Sequence, residues 1–552
     1  MIGLALAQDV TKSTPLQVLV SKSAYTIATL TLPSGYPTMN GADLLIKKLA
    51  DAGVTACFAN PGTSEMQLVA ALDKEPRIRA ILGLFEGVVT GAADGFGRMT
   101  DTPALTLLHL GPGYANGIAN LHNASRARVP VLNMIGDHAT HHLELDAPLT
   151  SDIKGLTAAV CAWTGTSTSA DDLAEVGLQA WQESLAYPGQ VTAFVAPANH
   201  AWDATSADVQ VPEIPSANTC SDQQISEAAE ALMSGRATAL FMGGHALREE
   251  GLLQAGRVAE ATGARLITET FFTRQSRGAG RVETERLPYF GEMAAEHLQN
   301  LDTLIVVGTK PPVSFFAYPD KPGWLSPDTA NLIRLGDASV DTIDALKRLA
   351  DALGAPPQVS KVAQRLEHEL VQGPINAVEL GKVIANRLPD GAIVSDEGAT
   401  NGLGAFLMTN NAAPHDWLTL TGGAIGQGLP LAVGASVACP DRKVLALEAD
   451  GSAMYTVQSL WTMVRENLDV TVLILNNGSY AILNIELARV GVERPGPTAL
   501  SLLDLTNPAI QWTDIARGMG MASQRVETVA ELDTAMASAM SEYGPRLIEV
   551  ML

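Results

Sequence analysis

The sequence predicts an α/β protein made of three doubly wound parallel-sheet domains, and three observations carry that expectation. Short apolar runs of strand length alternate with amphipathic helical stretches from Met39 to the end of the chain. Two blocks, one beginning at Met39 and one near Asn376, repeat the same grammar of helix, turn, strand and acidic loop, which reads as a distant internal repeat. Two Pro-rich stretches, Val211 to Ala217 and Gly354 to Val359, bracket a middle block that is also α/β. The expected organisation is an upstream extension over 1–38, a first domain over 39–205, a central domain over 218–354 and a last domain over 374–552.

Composition agrees with several domains and excludes some partners. A chain of 552 residues with 47% hydrophobic and 17% charged residues has ample core for three or four domains. Its formal net charge of −23 argues against nucleic acid or an anionic membrane surface as a partner. The 4 cysteines, Cys57, Cys161, Cys220 and Cys439, are scattered without metal-type spacing, which fits a reduced, cytoplasmic setting. No apolar run reaches the roughly 20 residues of a membrane span, and the segment before Met39 lacks the basic start and cleavage site of a secretory signal.

In the first domain GADLLIKKLADAGV reads as an amphipathic helix, TACFANPG as a strand and turn, and RIRAILGLFE and VPVLNMIGD as further strands. TALFMGG, ARLITET and TLIVVG are the strands expected of the middle block. The last domain opens with AVELGKVIANRLPDGAIVSDEG, a helix, a Pro-Asp-Gly turn and a strand ending in an acidic loop. Its most informative stretch is Lys443 to Tyr480. KVLALEA and VTVLILNN read as buried parallel strands. Between them Met454, Val457, Leu460, Trp461 and Val464 recur at helical spacing, with Asp450 or Ser452 as the cap and Asn467 as the stop. Such a crossover brings Asp450 and Asn477 to the carboxyl edges of parallel strands, where α/β proteins bind ligands. One carboxylate, one amide oxygen and a free carbonyl form a hard oxygen set that suits Mg²⁺ with ligand phosphates. Gly451 and Ser452 would offer helix-start N–H groups to the same anion. The plain alternative is a helix-capping aspartate and a polar turn.

Here the chain resembles the thiamine diphosphate (ThDP) enzymes. A Gly-Asp-Gly-Ser turn followed after roughly 30 residues by Asn-Asn is their signature, and Ala449-Asp450-Gly451-Ser452 with Asn476-Asn477 matches it except that Ala449 replaces the first Gly. The resemblance implies that Asp450, Asn477 and the carbonyl of Ser479 hold Mg²⁺, and that the first domain binds the aminopyrimidine ring while the last binds the diphosphate. It also assigns Glu86, in LFEGVVTGAADGFGR, as the carboxyl group hydrogen-bonded to N1′ of the pyrimidine. That contact lets the cofactor's amino group act as a base. Phe85 stands where the family often has His. Thr421 to Gly426 is similar to the loop that keeps ThDP bent, with the Gly423 carbonyl on the 4′-amino group and Ile425 as the wedge. Thr400, in Asp396 to Asn401, falls in a further diphosphate loop. Family precedent divides the site between subunits, so a homodimer or homotetramer is expected.

Substrate chemistry rests on Thr63, in Asn60-Pro61-Gly62-Thr63, and on His109. These positions resemble the serine and histidine with which benzoylformate decarboxylases serve the substrate carboxylate and proton transfers. The middle-domain histidine of those enzymes has no counterpart in Pro312 to Tyr318. Over nearly its whole length from Met39 the chain also resembles acetolactate synthase large-subunit-like proteins, through GGAIGQGLP, DGSAMYT and NPGTSEM. The implied activity is cleavage of a small, pyruvate-like 2-oxo acid with transfer of the acyl carbanion to an acceptor. A decarboxylase that releases aldehyde is the first alternative, and a non-catalytic ThDP-fold binding or regulatory protein is the second. Acetolactate synthases carry FAD in the middle domain, and Gly243-Gly244-His245 is the one weak flavin signal, so FAD stands as a minor alternative. His138, His141 and His142 invite a zinc reading. Their place at the active-site entrance in the family favours a polar loop, with His138 or His142 as a substitute proton donor.

Overall fold

The computed structural model describes residues 39–552, and the proposed extension over 1–38 lies outside the described residues. Three α/β units carry mostly parallel sheets. The first sheet has six strands: β1 (Ala56–Asn60), β2 (Arg79–Leu82), β3 (Ala104–Leu108), β4 (Val131–Asp137), β5 (Trp163–Thr166) and β6 (Val191–Pro197). The middle unit contributes β7 (Thr238–Met242), β8 (Arg265–Thr268), β9 (Gln275–Arg277), β10 (Glu285–Arg286), β11 (Thr303–Val307) and β12 (Asn331–Arg334). The last contributes β13 (Ala392–Glu397), β14 (His415–Thr419), β15 (Val444–Ala449), β16 (Val470–Asn476), β17 (Ala522–Val526) and β18 (Arg546–Met551). Strands such as β3, β15 and β16 are buried on both faces, so they read as continuous apolar runs rather than as alternating patterns.

The internal repeat is a topological one. The first sheet runs β2-β1-β3-β4-β6-β5, and the last runs β14-β13-β15-β16-β18-β17, the same order strand for strand. The two units therefore present equivalent edges: Thr63 after β1 matches Thr400 after β13, Glu86 after β2 matches the Gly423 loop after β14, and His109 after β3 matches Asp450 after β15. The residues singled out in the sequence gather at these carboxyl edges because each parallel strand ends there and its crossover starts from that edge.

The expectation of purely parallel sheets needs one correction. β9, from the middle unit, leaves its own sheet and pairs antiparallel with β14, with Ser276 opposite Asp416, so the last sheet gains a seventh strand. Arg274 reinforces the junction by donating to both oxygens of Asp416 at 2.9 and 3.1 Å.

The first and last units meet through two helices, Glu86–Thr100 and Gly428–Ala438. The second is apolar all round, as a helix covered on every side must be. A Cβ on Gly95 would lie 2.1 Å from the Leu431 carbonyl oxygen, and one on Gly434 would lie 1.8 Å from that of Ala92. Glycine is required at both positions for the two backbones to touch. Val89, Ala92, Ala93 and Phe96 join Leu429, Leu431, Ala432 and Val433 in one continuous core. Beside the crossing, fully buried Arg98 is paired with Asp94 at 2.8 Å and donates to the carbonyls of Thr273 and Thr419, tying three segments together.

Candidate active site

On the last unit's edge the structure joins the two ends of the Lys443–Tyr480 crossover. Asp450 is 2% exposed. Its Oδ1 accepts from the Gly451 N–H at 2.9 Å, and its Oδ2 accepts from the Gly478 N–H at 2.8 Å. The aspartate thus reaches the Asn477–Ser479 turn, in which Asn477 Oδ1 accepts from the Ser479 N–H at 3.0 Å. Burial pushes the Asp450 carboxyl up from the ordinary range, against the pull of those N–H donors. A cation would offset that cost, and Asp450, the Asn477 amide oxygen and the Ser479 carbonyl are hard oxygen donors of the kind that could hold Mg²⁺. Among the described residues no group of three or more His, Cys, Asp and Glu is arranged to hold a metal, so the zinc reading of His138, His141 and His142 has no support. His138 and His142 rings lie 5.5 Å apart and tilted.

The expected single helix after Asp450 is corrected. It breaks into Asp450–Ala453, a 3₁₀ turn over Met454–Thr456 and Ser459–Arg465. Asp450 is the first helical residue rather than the cap: its Oδ1 stays on the Gly451 N–H of its own helix start while its Oδ2 reaches across to Gly478. Asn467 does end the stretch, in a left-handed conformation.

The Gly423 loop turns twice through the left-handed backbone that glycine takes without strain. Gly423 has φ +76° and Gly426 φ +94°. A side chain on Gly426 would also strike Tyr455 at 2.5 Å. Ile425 between them is half-buried, and Thr400 is exposed in the first turn of Ala399–Met408. Glu397, which the sequence reading passed over, ends β13 and accepts from the Gly426 and Gly428 N–H groups, both at 2.6 Å. Its two oxygens thus hold the loop after β14 at two points. Burial raises Glu397 to about 7, and Glu448, fully buried beside it with no hydrogen-bond partner for either oxygen among the described residues, is raised well above the ordinary range by burial and the neighbouring carboxylates.

On the first unit's edge Glu86 opens its helix, with Phe85 as the extended residue before it. Glu86 is half-buried and accepts from Asn116 Nδ2 at 3.0 Å. His109 stands at the start of the helix Leu110–Ala127, and Thr63 is exposed in a short turn after β1. Glu65 joins these two positions and was not legible as a site residue. It is fully buried, and its Oε2 contacts His109 Nδ1 at 2.8 Å and accepts from the Gly62 N–H at 2.8 Å. Gly62 is a glycine because the His109 ring lies on it, 2.3 Å from where a Cβ would be. Burial lifts the Glu65 carboxyl despite the nearby imidazole. The NPGTSEM motif held the signal, since an acid three residues after a turn residue caps it.

Between the middle and first units lies a cavity of about 630 Å³, lined by Gly244, Glu269, Gly308, Lys310, Arg126 and Arg128. The weak flavin signal Gly243-Gly244-His245 falls at this place, where the strand order turns back between β7 and β11.

The model of the thiamine pyrophosphate enzyme N-terminal TPP binding domain matches residues 39–157, and that of the C-terminal TPP binding domain matches 397–550. A Mycobacterium tuberculosis protein with the provisional name acetolactate synthase large subunit IlvX is 48% identical over 93% of this chain and 99% of its own. The chain belongs to the thiamine pyrophosphate enzymes. Benzoylformate decarboxylase of Pseudomonas aeruginosa is 27% identical over 90% of this chain and 96% of its own. The solved structure of a Rhodococcus jostii RHA1 thiamine diphosphate-dependent 4-hydroxybenzoylformate decarboxylase superposes with a TM-score of 0.81 at 25% identity, covering 93% of this chain and 99% of that one. This member of the family is therefore a ThDP-dependent enzyme of the acetolactate synthase-like or benzoylformate decarboxylase-like kind. No helix among the described residues is long and apolar enough to cross a membrane.

Proposed function

We propose that the enzyme decarboxylates a small 2-oxo acid and that His109 handles the proton at the reacting carbon. ThDP, when bound, supplies the electron sink for C–C cleavage. The observation that carries the reading is the Glu65–His109 contact of 2.8 Å at the sheet edge that also bears Thr63 and Glu86. With Nδ1 engaged by a buried carboxylate, the imidazole is fixed in orientation and Nε2 is left to give or take a proton. Thr63 would hold the substrate carboxylate through its hydroxyl, and Glu86 would meet N1′ of the pyrimidine. Gly423 and Ile425 would hold the bend. Gly451, Ser452 and Thr400 would receive the diphosphate, with Mg²⁺ on Asp450, Asn477 and Ser479. We assign the aminopyrimidine to the domain over 39–205 and the diphosphate to that over 374–552, in a homodimer or a tetramer of dimers with each site shared between subunits.

Carboligation to an acetolactate-type product is the second reading, favoured by the 48% identity to the acetolactate synthase-like relative. Incubation with pyruvate and with benzoylformate, followed by mass analysis of products, separates the two. Aldehyde from either acid supports the decarboxylase, acetolactate from pyruvate supports the synthase, and no turnover of either with ThDP and Mg²⁺ overturns both. If FAD is present, the cavity between Gly244 and Lys310 would hold it, and the visible absorbance of the purified protein tests that.

A further inference from the structure

Asn120 and Asn123 lie on the helix Leu110–Ala127, are 3% and 0% exposed, and have no part in the reading above. Both reach out of the first unit into the loop of the last unit that carries Ile425. Asn123 pairs with Ala424 as one peptide group pairs with another: its Nδ2 donates to the Ala424 carbonyl at 2.8 Å, and its Oδ1 accepts from the Ala424 N–H at 3.1 Å. Its own carbonyl accepts from the Thr421 hydroxyl at 2.9 Å. Asn123 Nδ2 also donates to Asn120 Oδ1 at 3.1 Å. Asn120 Nδ2 in turn donates to two carbonyls, Gly87 at 2.8 Å and Gly426 at 3.3 Å. Gly87 follows Glu86, and Gly426 follows Ile425. The same helix carries Asn116, which donates to Glu86 itself.

We infer that Asn120 and Asn123 are positioning residues forming one relay, which sets the cofactor's bend loop from the helix start that carries Glu86. The physical ground is that the loop cannot set itself. Gly423 and Gly426 occupy left-handed backbone and give the segment between them freedom to relax. Amide groups buried beside it must keep their partners or bear the cost of losing them. Two side chains sharing a hydrogen bond hold Ala424 and Gly426 on either side of Ile425, so the loop has one low-energy arrangement and that arrangement depends on the Glu86 helix. In this reading Glu397 fixes the loop from the last unit's side and the asparagines fix it from the first unit's side.

The inference rests on the proposal that the loop holds ThDP, and the test separates the two. Full-length protein stripped of cofactor is titrated with ThDP at fixed Mg²⁺ by intrinsic fluorescence, and C2–H/D exchange of the bound cofactor is then followed at saturation. Asn120→Ala and Asn123→Ala are each expected to weaken ThDP binding roughly tenfold, about one buried hydrogen-bonding group's worth. Each should also slow C2 exchange at saturation, because the bend is lost as well as the grip. The double variant should be no weaker than about threefold below the weaker single, since the two act as one unit. Asn123→Ser, which keeps one hydrogen-bonding group, is expected to fall between parent and Asn123→Ala, and serves as the test if the alanine variant does not fold. Failure of the parent to bind ThDP would overturn the proposed function. A parent that binds, with variants that lose only melting temperature and keep ThDP affinity and exchange rate, would overturn the relay and leave a purely structural joint.

Discussion

Glu86 and Glu269 are both partly enclosed carboxylates, yet their surroundings give them opposite predictions. Glu86 is half-buried with one amide donor, as a group that must meet a ligand would be. Replacing it with Gln keeps the shape but removes the acid, so C2–H/D exchange of bound ThDP should fall by about 10²- to 10⁴-fold while ThDP still binds. Glu269 is enclosed against Thr309, and burial raises it from 4.5 to about 7. The folded chain then holds a proton that the unfolded chain releases first, so stability from this group declines as pH rises from 4.5 through about 7. Glu269→Gln should melt with the parent at the acid end of that window and above it at the alkaline end, as melting curves across the range will show.

At the scale of elements, the crossing of Glu86–Thr100 with Gly428–Ala438 concentrates its energetics in Arg98. Arg98→Met would leave Asp94 charged and fully buried along with two unsatisfied carbonyls, and is expected to cost about 3–5 kcal/mol, read from the urea midpoint. Gly426→Ala acts differently. It forces a left-handed residue against Tyr455, and should weaken ThDP binding with a smaller change in the cofactor-free melting curve. Much of this level was legible. The strands around Asp450 and Asn477, the helix start at Glu86 and the glycine loop at 421–426 all carry local patterns, because turn chemistry and apolar runs are written in neighbouring residues. What was not legible depends on packing between distant segments. Glu65 looks like a turn acid until His109 is laid beside it. Asn120 and Asn123 look like polar residues on an amphipathic helix until the last unit covers them. The break in the helix after Asp450 was not legible in apolar periodicity, nor was the reach of its first acid to Gly478, 28 residues on.

For the whole molecule, the proposed sharing of each site between subunits gives a sharp expectation. Glu86→Gln and Asp450→Ala chains, each inactive alone, should regain activity when unfolded together and refolded as mixed dimers. One site of each mixed dimer would then combine an intact Glu86 with an intact Asp450. Random pairing would restore about a quarter of the parent activity, and no recovery in a confirmed mixed dimer would place both halves of the site in one chain. The fold class of the molecule was readable from the repeat, and the identical strand order of the first and last sheets is the reason: each unit solves the same burial problem with the same crossovers. The loan of β9 to the last sheet was not readable, since a three-residue strand has no period to detect.

That borrowed strand also has a history in the life of each molecule. Ser276 leaves the ribosome 140 residues ahead of Asp416, the residue it lies opposite in the finished sheet. Through that interval the β9 segment has no strand to pair with, and unpaired edges invite the wrong neighbours. The short length of β9 and the cations at Arg274 and Arg277 are what a nascent chain needs to keep that edge vacant until its partner arrives.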